Sequence, residues 1–345
     1  MKKTIFVLFA AALLLQPALA CSDFLLNNSG SSAVSARSMD FAIPLQAEVL
    51  VIPRGEKFQS ALSPAQTYMK WTSRYGFVGT NAGRQYGFTD GLNEKGLSIG
   101  TLWLAATKYP DAAKLPPEKT IQITDVAHWI LGSFATVDEV KAGLKKVIVT
   151  GSPVKEMNNI TFPLHLSIHD RNKKSLVVEF VGEKMQIYDN PYNVMTNDPP
   201  FPEQVKNLAQ YGKLTNTRGG MVGLPGDSSP PSRFARLYTL NKFVQKSKNT
   251  RAAVNNANHI LNRVTIVNGE IGNDITEYGL IRDHKNLVYY VIDDENMNLR
   301  ALDLKKLDFS PGAKTLAMSI AADKWFVPAN SELKGFEPVA LSATD

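Results

Sequence analysis

The sequence contains a single cysteine, Cys21, which directly follows Ala18-Leu19-Ala20. Lys2 and Lys3 open the chain and Ile5 to Leu15 is an almost unbroken apolar run, so residues 1–20 read as a cleavable export signal with the cut between Ala20 and Cys21. Cleavage would make Cys21 the first residue of the mature chain. A thiolate is the reactive form of cysteine, and a free thiol with pKa about 8.5 holds little of it at neutral pH. An α-amino group titrates at roughly 7.7–8.0, so in its neutral form it can take the thiol proton. One terminal residue can thus carry both nucleophile and base, as in N-terminal threonine sites.

A cysteine at this position can instead be a lipid attachment point. That signal favours leucine three residues before the cysteine and a small residue two before, whereas here Ala18 and Leu19 stand nearly in reverse. A polar tether would also be expected after the anchor, but Phe24-Leu25-Leu26 follows and reads as a core strand. A lipid-anchored periplasmic binding protein is therefore the rival from a different class.

Nucleophile chemistry needs groups that hold the amine and favour the thiolate. Asn27 to Ser32 is rich in Asn, Ser and Gly and joins two short strand-like runs, which predicts a hairpin. If Leu26 pairs near Ala33, Ser38 or Met39 lies opposite Cys21, and Arg37 and Asp40 flank it. A guanidinium beside the sulfur would lower the thiol pKa, and a carboxylate could hold the amine. Taken without Cys21, the same two residues read as an ion pair at a strand end.

Several ordered motifs carry a resemblance. Cys21 as mature first residue, A-R-S-M-D-F at 36–41, D-G-L-N-E-K-G-L at 90–97, V-M-T-N at 194–197 and G-L-P-G-D-S-S-P-P-S-R-F at 223–234 occur in that order. Together they resemble the choloylglycine hydrolase family, penicillin V acylases and conjugated bile-salt hydrolases within the N-terminal-nucleophile hydrolases. The resemblance implies Cys21 as nucleophile and base, Arg37 against the sulfur and Asp40 on the amine. It also implies Asn197 as an oxyanion donor and Arg233 as part of the polar network around the nucleophile. Where bile-salt hydrolases carry Asn at a second oxyanion position, this sequence has Trp103, which would offer its backbone N–H and a pocket wall. Without the resemblance, Asn197 reads as a turn residue before Asp198-Pro199-Pro200, Trp103 as a core aromatic, and Arg233 as a first-turn surface charge.

The elements that must position these residues are legible in outline. Strands are expected at 22–26, 33–40, 48–53, 86–92, 97–104, 164–170, 175–180, 185–189, 277–283, 287–293 and 299–303, and helices at 123–133, 136–146, 202–210, 231–247 and 250–263. Hairpin-like pairs alternating with helix pairs argue for an α+β fold rather than a parallel doubly wound sheet. The resemblance implies a four-layer αββα sandwich of two antiparallel sheets. No repeat or linker divides residues 21–345, so a single domain is expected.

Other chemistries lack their residue sets. His165 and His169 share a strand face without further ligands nearby for zinc. Gly219 to Asp227 is glycine-rich but lacks the Lys-Ser/Thr of a phosphate loop, and its glycines are expected to allow close backbone approach before the helix. No serine elbow occurs, and no metal or other cofactor is implied. Removing Lys2 and Lys3 takes the formal charge from +6 to +4, without a long basic run, so neither nucleic acid nor a membrane surface is indicated.

The expectation is hydrolysis of a linear amide through a thioester, outside the cytoplasm. Export, Trp103 and a short 197–233 segment point to the Gram-negative branch with penicillin V acylase-like specificity. Bile-salt hydrolysis and cleavage of fatty-acyl homoserine lactones are the alternatives. The resemblance implies a homo-oligomer as one outcome, a tetramer in the family, but the 197–233 segment is shorter here than the excursion that helps tetramer assembly, so the oligomeric state stays open.

Overall fold

The computed structural model describes residues 20–63, 66–83, 87–154 and 159–334. The expected signal segment, save Ala20, lies outside them. Two antiparallel sheets organise the chain. The first runs in the order β14 (Val194–Met195), β1 (Ser22–Leu25), β2 (Val34–Phe41), β15 (Ile275–Asp283), β16 (Val288–Asp293) and β17 (Asn296–Asp303). The second runs β13 (Lys184–Asp189), β12 (Ser175–Val181), β11 (Leu164–His169), β8 (Ser98–Trp103), β7 (Phe88–Asn93), β6 (Phe77–Asn81), β3 (Glu48–Ile52) and β18 (Leu316–Ser319). A hairpin of β4 (Lys57–Ser63) and β5 (Gln66–Thr72), and a parallel pair of β9 (Thr120–Gln122) and β10 (Ile148–Thr150), stand beside them.

Helices cover the outer faces. α1 (Ile123–Ser133) packs on β7 and β8, with α2 (Val137–Leu144) following it. α3 (Phe201–Asn207) and α4 (Pro230–Phe243) pack on each other, α4 lies on β14 and β1, and α5 (Thr250–Leu261) lies on β2 and β15. This is the expected αββα arrangement. Strand alternation divides the core: Val49, Val51, Val78 and Leu102 join a cluster with the first sheet, α4 and α5. Leu50, Ile52 and Ile99 turn the other way, onto Val126, Ile130 and Leu131 of α1. β3 is thus buried on both faces, which is why it reads as a continuous apolar run.

Differences from expectation are local. α1 matches its expected span. The expected 231–247 helix ends at Phe243, because the following chain turns to give Ser247 N–H to Asn28 O (2.8 Å). The first residue of the expected 86–92 strand lies outside the described residues, and the strand itself is β7. β4, β5, β6, β9, β10, β14 and β18 were not foreseen; they are short or mix polar residues through both faces, so period-two patterning is weak. Gly219 and Gly223 take positive φ with open space where a Cβ would be. Their role is turn conformation, whereas Gly220, where a Cβ would lie 2.8 Å from Thr215 O, allows the expected close approach.

Candidate active site

The β1–β2 hairpin forms, and of the two registers the sequence allowed it takes the one with Ser22 opposite Ser38 and Leu26 N–H bonded to Val34 O. Met39 therefore faces Cys21, and the two sulfurs lie 3.7 Å apart. Alternation along β2 sends Arg37 and Met39 to one face, toward the second sheet, and Ser38 and Asp40 to the other. Cys21 sits where the faces meet. Its side chain is nearly buried, 4% exposed, yet it lines a cavity of about 440 Å³.

Arg37 is fully buried, and its Nη2 lies 3.8 Å from Cys21 Sγ. The β7–β8 ladder ends at Asp90 opposite Gly100. Just beyond, the guanidinium enters between the strands and donates to Thr89 O and Thr101 O. Arg37 pairs with Asp90 (3.4 Å) and not with Asp40, so the simple ion-pair alternative is set aside. Asp90 continues to Arg282 (2.7 Å), Arg282 to Asp23 (2.6 Å) and Asp23 to His169 (2.6 Å). Arg37, Asp90, Arg282, Asp23 and His169 are all buried between the sheets. Burial works to lower Arg37, but the surrounding anions and Cys21 outweigh it and keep the guanidinium charged. Burial pushes Asp23 up, and Arg282 with His169 more than reverse this, leaving it well below the ordinary carboxylate range.

On the other face, the Asp40 carboxylate accepts from Ser38 Oγ (3.0 Å) and Thr276 Oγ1. The β2–β15 register shifts between Thr276 and Tyr278, in line with the habit of bulges to re-aim side chains beside sites. Burial pushes Asp40 up to about 7 against the lowering effect of Arg233. Burial likewise raises the Cys21 thiol, opposed by Arg37.

Arg233 is also fully buried, which overturns its reading as a surface charge. From the first turn of α4 it donates to Cys21 O (2.6 Å), Ser22 Oγ (2.6 Å) and Asn197 Oδ1 (2.8 Å). The bond to Oδ1 fixes the Asn197 amide, whose Nδ2 donates to Trp103 O (3.0 Å). Trp103 sits opposite Leu164, while Leu104 N–H bonds Pro163 O, so Trp103 is a non-hydrogen-bonded position toward β11. Its N–H and carbonyl both turn away from β11, toward the side where Asn197 lies. Trp103 N–H and Asn197 Nδ2 thus lie on the same side of β8, next to the cavity that Trp103 lines.

All six sequence-derived residues, Cys21, Arg37, Asp40, Trp103, Asn197 and Arg233, come together at the cavity and its immediate surroundings. Phe41, Phe88, Phe162 and Leu164 add apolar wall beside Trp103. His165 and His169 are buried, against Glu179 (3.2 Å) and Asp23. The sequence reading missed Ser38, Thr276, Asp23, Asp90 and Arg282. Asp90 lay within the 90–97 motif, and Ser38 within 36–41; Arg282 has no local signal, because its partners come from β1 and β7.

A family model described as linear amide C–N hydrolases, choloylglycine hydrolase family, matches residues 21–316. A penicillin V acylase of Pectobacterium atrosepticum is 30% identical over 90% of this chain and 88% of its own. A bile salt hydrolase/transferase of Clostridium perfringens is 29% identical over 83% and 93%. Among solved structures, the penicillin V acylase of Agrobacterium tumefaciens superposes with a TM-score of 0.77 at 30% identity, covering 92% of this chain and 98% of that one. An arginine-to-leucine variant of the Clostridium perfringens conjugated bile acid hydrolase also gives 0.77, at 28% identity over 87% and 97%.

Proposed function

The chain belongs to the choloylglycine hydrolase family of linear amide C–N hydrolases, and on that premise we propose that Cys21 is its nucleophile. Removal of residues 1–20 during export would free the Cys21 α-amine, placing the working enzyme in the periplasm or outside the cell. The observation that carries this reading is the cavity itself: Cys21 lines it, with Arg37 Nη2 at 3.8 Å from the sulfur.

The neutral α-amine takes the thiol proton as the sulfur attacks the amide carbonyl. This concerted transfer suits a thiol that burial disfavours as a free anion. Negative charge forms on the carbonyl oxygen and is met by Trp103 N–H and the second Nδ2 hydrogen of Asn197, the first being held by Trp103 O. The intermediate collapses as the ammonium gives its proton to the departing amine, leaving a thioester on Cys21. Water then attacks the thioester with the amine again as base, releasing the acid and the thiol. Asp40 stands to hold the ammonium, and Arg233 keeps Cys21 O and Asn197 in register.

For substrate, we propose amides with an apolar or aromatic acyl group of the kind penicillin V carries. The aromatic wall of Phe41, Phe88, Trp103 and Phe162 supports this, as does likeness to two penicillin V acylases. The comparable likeness to bile salt hydrolases keeps glycine-conjugated bile acids as the second reading.

Intact mass and N-terminal sequencing of exported protein should give unmodified Cys21 as residue one, whereas a diacylglyceryl adduct would support the lipid-anchor reading. Amine release from penicillin V, glycocholate and long-chain homoserine lactones should vanish in Cys21→Ser. Undiminished hydrolysis by that variant would remove Cys21 from the chemistry, and a strong glycocholate preference would reverse the substrate order.

A further inference from the structure

Among the described residues, the cavity is lined by two carboxylates, Asp40 and Asp125. Both oxygens of Asp40 are occupied, by Ser38 and Thr276. Asp125 differs. Gln122 N–H donates to Ser60 Oγ (2.8 Å), and Ser60 Oγ–H donates in turn to Asp125 Oδ2 (2.6 Å). The chain of donors fixes the carboxylate and leaves Oδ1 without a hydrogen-bond partner among the described residues. Among those residues, the group near Oδ1 able to carry positive charge is His128 Nε2, at 3.8 Å, beyond hydrogen-bond reach. Burial among Phe58, Trp71 and Phe88 pushes His128 down to about 3, so it is neutral and offers Asp125 no counter-charge.

Asp125 stands in the first turn of α1, where a carboxylate favours the helix dipole. The dipole does not explain why the group lines an apolar cavity among Ile123, Val154, Phe162 and Leu164. Burial pushes Asp125 up to about 6, against the lowering effect of the Ser60 hydrogen bond. A carboxylate kept there with one lone-pair face open is costly unless a donor meets it.

We propose that Asp125 is a specificity-determining residue whose Oδ1 accepts a hydrogen bond from a hydroxyl carried by the acyl group, so that hydroxylated acyl chains are favoured over their deoxy counterparts. This rests on the acyl group of a Cys21-dependent reaction occupying the cavity. A site built to bond a substrate hydroxyl discriminates strongly against the analogue lacking it, because its own polar group is then left unpaired.

The test uses ω-hydroxyhexanoyl-, ω-hydroxyoctanoyl- and ω-hydroxydecanoyl-glycine against the three unhydroxylated acyl-glycines. At the chain length that reaches Asp125, the ratio of kcat/KM, hydroxylated over plain, should be about tenfold or more higher in the processed wild-type enzyme than in Asp125→Leu. Asp125→Asn, which keeps the size and one acceptor, should fall between. Equal ratios in wild type and Asp125→Leu at every length overturn the proposal. Binding of the same pairs to Cys21→Ala, with and without Asp125→Leu, is read by calorimetry. If no glycine amide is cleaved by wild type, the choice of amine is what has failed, while the Cys21 reading stands or falls on amine release from penicillin V by wild type against Cys21→Ser. An Asp125-dependent binding difference then still supports the hydroxyl contact, and its absence removes it. Asp125→Asn also guards against misfolding of the Leu variant, since its helix-turn contacts are nearly isosteric.

Discussion

Cys21 is poised between two opposed influences. Burial disfavours its thiolate, and Arg37 at 3.8 Å restores part of it. Replacing Arg37 with Gln should raise the thiol pKa further and slow alkylation by iodoacetamide about tenfold at neutral pH in processed protein. An unchanged alkylation rate would mean that the guanidinium serves only to tie Thr89 and Thr101 together. Asn197 is held at both ends of its amide, by Arg233 and by Trp103 O. Asn197→Ala should therefore lower kcat by about 10²–10³ with KM little changed, as expected of a donor that acts mainly on the developing oxyanion. A rise in KM at constant kcat would instead place Asn197 in ground-state binding.

At the scale of elements, the site depends on β8 coming close to β1 and β2. Gly100 makes this possible: a Cβ there would lie 2.9 Å from Asp23 Oδ2, 3.4 Å from Asp90 Oδ2 and 3.5 Å from Arg37 Cδ. Two carboxylates held by a shared Arg282 cannot move apart without losing their pairing. Gly100→Ala should cost about 1–3 kcal/mol in urea unfolding and should also lower kcat/KM, since the displaced carboxylates set Arg37. Full activity with full stability would show that β8 can back away. The expectation of a hairpin succeeded because Asn27 to Ser32 supplies turn residues between apolar runs. β14, at two residues, could not be found that way, although it is the strand that seats β1 and leads into Asn197.

For the whole molecule, burial of neutral histidines couples stability to pH. His128 and His284 are both pushed down by burial to about 3 from an ordinary 6.5. His284 Nδ1–H donates to Gly96 O, and its Nε2 lies 2.8 Å from Ser35 Oγ, where the neutral ring has an acceptor. The unfolded chain binds these protons below about 6.5 while the folded chain refuses them until about 3. Their contribution is thus intact above 6.5 and is lost as pH falls through that window, by an amount on the order of several kcal/mol. Urea midpoints should drop between pH 6.5 and 4, and His128→Phe, in its aromatic surroundings, should make the decline shallower. An equal slope in that variant would assign the acid sensitivity elsewhere.

The sequence by itself determined the nucleophile candidate, its hairpin and the α+β class, because these rest on adjacent residues: a cleavage pattern, a turn and alternating apolar positions. Ordered motifs then pointed to Asn197, Trp103 and Arg233 without any geometry. Only the tertiary structure decided what those groups touch. Arg233 became a buried clamp because α4 starts against β1, and Arg37 met Asp90 because the two sheets face each other at Gly100. Arg282, Thr276 and the open oxygen of Asp125 were invisible in one dimension, since their partners are separated by long stretches of chain and only packing brings them within reach. A residue type states what chemistry is available; the distances that set its charge and its partner exist only once the layers have closed.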